Sequence, residues 1–157
     1  MTLVVNFITP ALEVVNNMSD VVNFHYEVDG EDFTSAGEAS VNVKRKLRQL
    51  GIDPAIIRRV SIAMYEGEVN MVIHANGGFV DVDVYSDRIE IILTDEGPGI
   101  ADVNLAMQEG FSTAPDYVRS LGFGAGMGLP NMKGYTDDMS IKTEIGVGTT
   151  IKMVVNL

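Results

Sequence analysis

The sequence predicts a two-layer α/β sandwich, a mostly antiparallel sheet with helices on one face. Three observations carry that prediction. A long segment after Asp53-Pro54 keeps its apolar residues at helical spacing, the segment after it alternates with period two, and two strand-like segments close the chain across a glycine turn. The 157 residues, 46% hydrophobic and 21% charged, suit one domain that buries its own core.

Residues 3–9 and 21–28 read as strands, separated by Pro10 and an ambiguous stretch, with Asp29-Gly30 as a turn. Ser35-Ala36-Gly37-Glu38 has capping-box spacing, so a helix is expected from there to Leu50, stopped by Gly51. Asp53-Pro54 offers a side-chain cap and a proline at the first helical position, opening a second helix that runs to about Ala75. Its apolar face holds Ile56, Val60, Ala63, Met64, Gly67 and Met71. Val80, Val82 and Val84 alternate with Asp81 and Asp83 as in a half-buried strand, and Ser86-Asp87 turns into a second strand over 88–94. A short helix over 102–108, an irregular mobile loop over 111–128, a helix over 129–136 and strands over 139–144 and 149–157 complete the reading. No repeat, linker or low-complexity tract divides the chain, so 1–157 is expected to be one domain, with 1–34 as an N-terminal strand extension and 35–157 as its core.

Composition narrows the function. Without cysteine, disulfides, thiolate metal sites and cysteine nucleophiles are excluded, and two histidines, His25 and His74, argue against an all-histidine metal site. The net charge of −11 disfavours nucleic acid and anionic membranes as partners. Lys44, Arg45, Lys46, Arg48, Arg58 and Arg59 gather six of the eleven positive charges, read as solvated helix faces ahead of a docking patch for an acidic protein. No apolar run reaches a membrane span of about 20 residues, and residues 1–10 lack a signal-peptide pattern. A cytoplasmic location is expected.

Four elements carry the candidate chemistry, each weak alone. Glu66, Asn70 and His74 fall four apart along one edge of the long helix, on the flank of its apolar face. Asp95-Glu96-Gly97-Pro98-Gly99 puts a carboxylate at a strand end before a glycine turn, where it can accept from the exocyclic amine of a planar base. Gly122, Gly124, Gly126 and Gly128 alternate just before a helix, exposing backbone N–H groups to a polyphosphate. That loop follows no strand and lacks the lysine-hydroxyl ending of a P-loop, which removes the dinucleotide-fold and P-loop readings. Gly148-Thr149-Thr150 sits on the closing strand.

Taken in this order, the four boxes resemble the GHKL ATPase superfamily, which includes gyrase, Hsp90, histidine kinases and MutL. The resemblance covers about residues 35–157 and implies the Bergerat-type ATP-binding fold. Within it the chain is most similar to the anti-sigma factor serine/threonine kinases, through Tyr65-Glu66-Gly67-Glu68-Val69-Asn70-Met71-Val72-Ile73-His74-Ala75, Asp95-Glu96-Gly97-Pro98-Gly99-Ile100 and the lid 111–128. The resemblance implies that Asn70 coordinates Mg²⁺ bridging the ATP phosphates and that Asp95 bonds the adenine amine with support from Thr149. It also implies that Gly97 and Gly99 shape the base pocket, that Gly124, Gly126, Gly128 and Leu129 wrap the phosphates, and that Arg119 neutralises their charge. Glu66 would be the general base. His74 is read as a packed or hydrogen-bonded helix-end residue. The lid departs from the family pattern in lacking lysine, so Arg119 is its one cation, and Asp116 opposes it.

The implied function is an anti-sigma factor that phosphorylates an anti-sigma factor antagonist protein, with sequestration of a sigma factor and a homodimeric state as further expectations. Two alternatives stand beside it. One is a histidine kinase catalytic domain, weakened because neither histidine lies on a separate phosphoacceptor helix. The other is an ATP-gated module that captures partners without phosphotransfer.

Overall fold

The computed structural model describes residues 21–157. The strand expected over 3–9 lies outside them. The sheet comprises β1 (Val22–Asp29), β2 (Gly77–Val84), β3 (Arg88–Asp95), β4 (Asp138–Glu144) and β5 (Gly148–Asn156), in the order β1-β2-β3-β5-β4. Every neighbouring pair is antiparallel, so the sheet is more uniform than the mostly antiparallel one expected. The helices are α1 (Glu38–Gln49), α2 (Pro54–Ala75), α3 (Val103–Ala106), α4 (Asp116–Ser120) and α5 (Gly128–Gly134).

Register explains the core. Val80 pairs with Leu93 and Leu93 with Ile151, while Val82 pairs with Ile91 and Ile91 with Met153, giving buried rows that cross three strands. The helices supply the facing layer. Ala39, Val43 and Leu47 recur on the buried side of α1, and α2 buries Val60, Ala63, Met64 and Met71 between the sheet and its neighbours. A fully buried Leu47 or Met64 contributes about 1.5–3 kcal/mol. Residues one position out of phase face away from the helices and are mostly polar, Phe79, Ile92 and Val154 being exceptions: Asn23 bonds Asp83, His25 bonds Asp81, and Glu90 lies between Arg88 and Lys152.

Asp53 caps α2 as expected, its carboxylate accepting from the Ala55 N–H at 2.7 Å. The capping box proposed for α1 does not form. The N-cap is Gly37, and the Ser35 hydroxyl donates instead to the Asp32 carbonyl. The free N–H groups of α1 are met from α2: the Glu68 carboxylate, 1% exposed, accepts from Gly37 (2.9 Å), Ala39 (3.2 Å) and Ser40 (2.6 Å). A carboxylate at a helix N-terminus answers both the unpaired donors and the helix dipole. It locks α1 to the helix that carries the candidate site.

Part of the basic cluster is structural. Arg59 pairs with Asp137 at 2.9 Å and donates to the Tyr135 carbonyl, and the Lys46 ammonium stands 4.5 Å from the Phe24 ring centroid and 5.3 Å from that of Tyr26. Among the described residues no helix is long and apolar enough to cross a membrane.

Candidate active site

The expected row on α2 borders a cavity of about 540 Å³, a size suited to a small-molecule ligand. Glu66, Asn70 and His74 line it from the helix, Leu93 and Ile151 from the sheet, residues 98–102 from one side, and 111–113 with 122–129 from the other. Asp95, Gly99, Gly124, Gly126, Gly128, Leu129 and Thr149 all belong to this lining. The structure therefore gathers residues from four distant parts of the chain around one space. Gly97 and Arg119 are not in it. His74 has no hydrogen-bond partner among the described residues; it lines the cavity with part of its surface exposed, and burial of the rest lowers its pKa.

At one end, β3 delivers Asp95. Its Oδ1 accepts from the Gly97 N–H at 2.9 Å and from the Thr149 N–H at 3.1 Å, so the turn and the closing strand fix this side chain. Oδ2 has no partner among the described residues and is available as an acceptor. Thr149 is buried, and its hydroxyl shares a 3.0 Å hydrogen bond with that of Thr143. The Thr143 Oγ1 in turn accepts from the Ile100 N–H at 2.8 Å. Thr143, absent from the expected set, thus stitches the 95–100 turn to β4.

At the other end lies the segment 111–128. It is not irregular throughout: α4 forms within it, with Val118 fully buried and Ala114 nearly so. Glycine density hides a helical turn held by one apolar anchor. The Gly110 N–H bonds the Gly126 carbonyl at 2.9 Å, closing the loop's base, and Phe123 tilts against Phe33. Arg119 is exposed, with its guanidinium on the Ser112 carbonyl at 3.0 Å.

Past the loop, α5 rests directly on α2. A Cβ at Gly128 would stand 2.8 Å from the Asn70 Nδ2, and one at Gly67 would stand 2.5 Å from Leu93 and 3.3 Å from the Met132 Cε. These two glycines set how closely α5 approaches. One turn along, the Asn131 Nδ2 donates to the Glu66 Oε1 at 2.9 Å. Asn131 escaped sequence reasoning because an asparagine behind Leu129-Pro130 fits no motif; its meaning comes from the helix it touches.

Comparison with known proteins agrees with this geometry. A family model described as the histidine kinase-like ATPase domain matches residues 31–155. The chain belongs to the histidine kinase-like ATPase family. Bacillus subtilis (strain 168) RsbT, named a serine/threonine-protein kinase, is 32% identical over 127 residues, 78% of this chain and 87% of its own length. An anti-sigma F factor of Pasteuria penetrans is 30% identical over 139 residues, 80% of this chain and 88% of that one. Two solved structures share the fold: a SiaB-SiaC complex from Pseudomonas aeruginosa (TM-score 0.58, 10% identity, 99% of this chain and 100% of that chain) and the RsbU and RsbW domains of a Mycobacterium tuberculosis protein (TM-score 0.58, 16% identity, 85% and 31%).

Family membership implies ATP as the ligand, and the histidine kinase-like ATPase site offers groups that suit it. One end presents an uncommitted carboxylate oxygen on Asp95, an acceptor for an exocyclic amine. The other presents the backbone of a glycine-rich segment beside the Asn70 amide. Among the described residues no three acidic or histidine side chains gather as a metal cage. Magnesium bound with ATP takes few protein ligands, the phosphates and water supplying the rest, so a single amide oxygen suits it.

Proposed function

We propose that this chain is a cytoplasmic, Mg²⁺- and ATP-dependent protein serine/threonine kinase that phosphorylates an anti-sigma factor antagonist protein and, as a homodimer, binds a sigma factor. One observation carries the reading: Glu66 and Asn70 stand one turn apart on α2, facing the cavity whose far end holds Asp95 and Thr149. The likeness to RsbT and to the anti-sigma F factor supports the choice of substrate class.

The roles are those the family resemblance implies, and the gathering of most of these residues around one cavity supports them. ATP supplies the γ-phosphoryl group, and Mg²⁺ offsets the phosphate charge. Asn70 would hold the metal, Asp95 would accept from the adenine amine with Thr149 bracing it, and Gly97 and Gly99 would form the turn under the base. Gly124, Gly126, Gly128 and Leu129 would surround the phosphates. Arg119 would leave the Ser112 carbonyl and reach the phosphates as the segment 111–128 closes. Glu66 would take the proton of the incoming hydroxyl.

Asp95→Asn tests the base end. Asparagine keeps an oxygen for the Gly97 and Thr149 N–H groups, so the fold should survive, but it replaces the free acceptor with an NH₂ donor facing the adenine amine. Affinity for Mg·ATP should fall by about 1.5–3 kcal/mol or more, read by titration calorimetry. Unchanged affinity would place the adenine elsewhere.

Hydrogen exchange tests the lid. Amides of 111–128 should exchange more slowly once Mg·ATP is added, except near Val118, whose burial protects its turn beforehand. Uniform protection in the free protein would end the closing role.

A further inference from the structure

We infer that Asn131 is a positioning residue for the Glu66 base, holding the carboxylate by one oxygen and leaving the other free for the substrate hydroxyl. The inference rests on the kinase reading of the site. Its basis is the 2.9 Å hydrogen bond from Asn131 Nδ2 to Glu66 Oε1, the one side-chain hydrogen bond that Glu66 makes among the described residues. Against a carboxylate, which only accepts, the asparagine must present its NH₂ group. The bond is partly buried and charge-assisted, both of which strengthen it relative to an exposed neutral pair.

The helices around it fix its geometry. Met132 is fully buried and Leu129 nearly so, anchoring α5 on either side of Asn131. Gly128 and Gly67 allow the close approach, since a side chain at either position would strike Asn70 or Leu93. Within α5 the Asn131 N–H bonds the Met127 carbonyl, and the Asn131 carbonyl accepts from Tyr135. The same helix therefore meets Asn70 at its first residue and Glu66 one turn later, so the metal-holding amide and the base share one neighbour.

Glutamate has three side-chain torsions, and an unheld carboxylate at a cavity edge samples several rotamers. Pinning Oε1 leaves Oε2 to accept the proton of the serine or threonine hydroxyl. As that proton moves to Oε2, the substrate oxygen bonds to the γ-phosphorus. The bond from phosphorus to the β,γ-bridging oxygen breaks, and ADP departs with its electron pair. Misplacing a catalytic group by about 1 Å can cost about a hundredfold in rate. The bond is made in the ground state without touching nucleotide, so its loss should appear in turnover and not in binding.

Steady-state transfer to the antagonist protein, with Mg·ATP affinity measured on the same full-length preparations, decides the matter. Asn131→Ala should lower kcat about ten- to a hundredfold, with KM for both substrates and the Kd for Mg·ATP within about twofold. Asn131→Asp, similar in shape, should fold and lower kcat further, because it sets a second carboxylate against Glu66. In a Glu66→Ala background, Asn131→Ala should cost nothing more, since a residue that acts through another has no effect once that other is gone. An Asn131→Ala protein with the wild-type kcat, an equal further loss in the Glu66→Ala background, or a fall in Mg·ATP affinity matching the fall in rate would each overturn the inference. The reading beneath it fails separately, if Glu66→Ala transfers as fast as wild type or if wild type transfers nothing.

Discussion

Replacing Glu66 with alanine should leave Mg·ATP affinity within a few-fold and slow phosphotransfer to the antagonist protein by about 10²–10⁴-fold. A carboxylate near the γ-phosphate adds little to ground-state binding and repels the phosphates if anything. Its contribution comes at the transition state, when the hydroxyl proton needs an acceptor. The substitution also leaves the Asn131 amide without its acceptor, a loss of about 1 kcal/mol of stability. Rate, affinity and unfolding must therefore be measured on one preparation. A wild type that binds the antagonist protein only with ATP yet transfers nothing would replace the kinase with a capture module.

Glu68→Ala should be strongly damaging to the fold. It removes the acceptor for three N–H groups at the start of α1, and each buried donor left unmet costs about 1–3 kcal/mol. With some relief from entering water, about 2–4 kcal/mol is expected, against about 5–15 kcal/mol for a whole domain. Denaturant midpoints give the value. Glu68→Gln should fall between, as its single oxygen can serve only part of the set while its NH₂ group faces a donor. Burial pushes the Glu68 carboxyl above its ordinary value, against the pull of the Ser40, Gly37 and Ala39 N–H groups. A carboxyl raised in the folded state contributes its stability below the unfolded value and loses it as pH rises through the folded one. Wild type should thus lose stability relative to Glu68→Gln as pH climbs from the unfolded carboxylate range, about 4.3, through that raised value. An equal pH profile for both proteins would refute the assignment.

How much was legible in the sequence depended on whether the physics was local. Asp53-Pro54 marks the start of α2 because cap and proline act within one turn, and the valines of β2 show their face because alternation is local too. The site boxes are readable for the same reason, since Glu66 and Asn70 need only a helix to align. The start of α1 misled. Its spacing fits a capping box, but the acceptor comes from Glu68, 31 positions from Gly37, and no local pattern encodes that distance. The α4 turn hid behind glycines, because one buried valine is too little periodicity to detect. Asn131 and Thr143 become informative only when α5 meets α2 and β4 meets the 95–100 turn. Arg119, which the resemblance puts on the phosphates, donates here to the Ser112 carbonyl, a contact that depends on how the segment folds and that no local pattern encodes.

Among the described residues β1 stands at the sheet's edge, which has a consequence for how the chain assembles. Its contacts with β2 span 60 residues at Asn23–Asp83 and 56 at His25–Asp81, whereas β2 turns into β3 through Ser86-Asp87. Closing a long span costs more entropy than closing a hairpin, so the β2–β3 hairpin is expected to form before β1 docks on it and before β5, itself 54 positions away at Asp95–Thr149, docks on β3. Until β1 docks, β2 presents a row of unpaired N–H and C=O groups beside half-exposed Phe79. Such an edge is a template on which another chain can add a strand. β1 thus covers that row on β2, and a molecule whose β1 is undocked is the one that offers it to another chain.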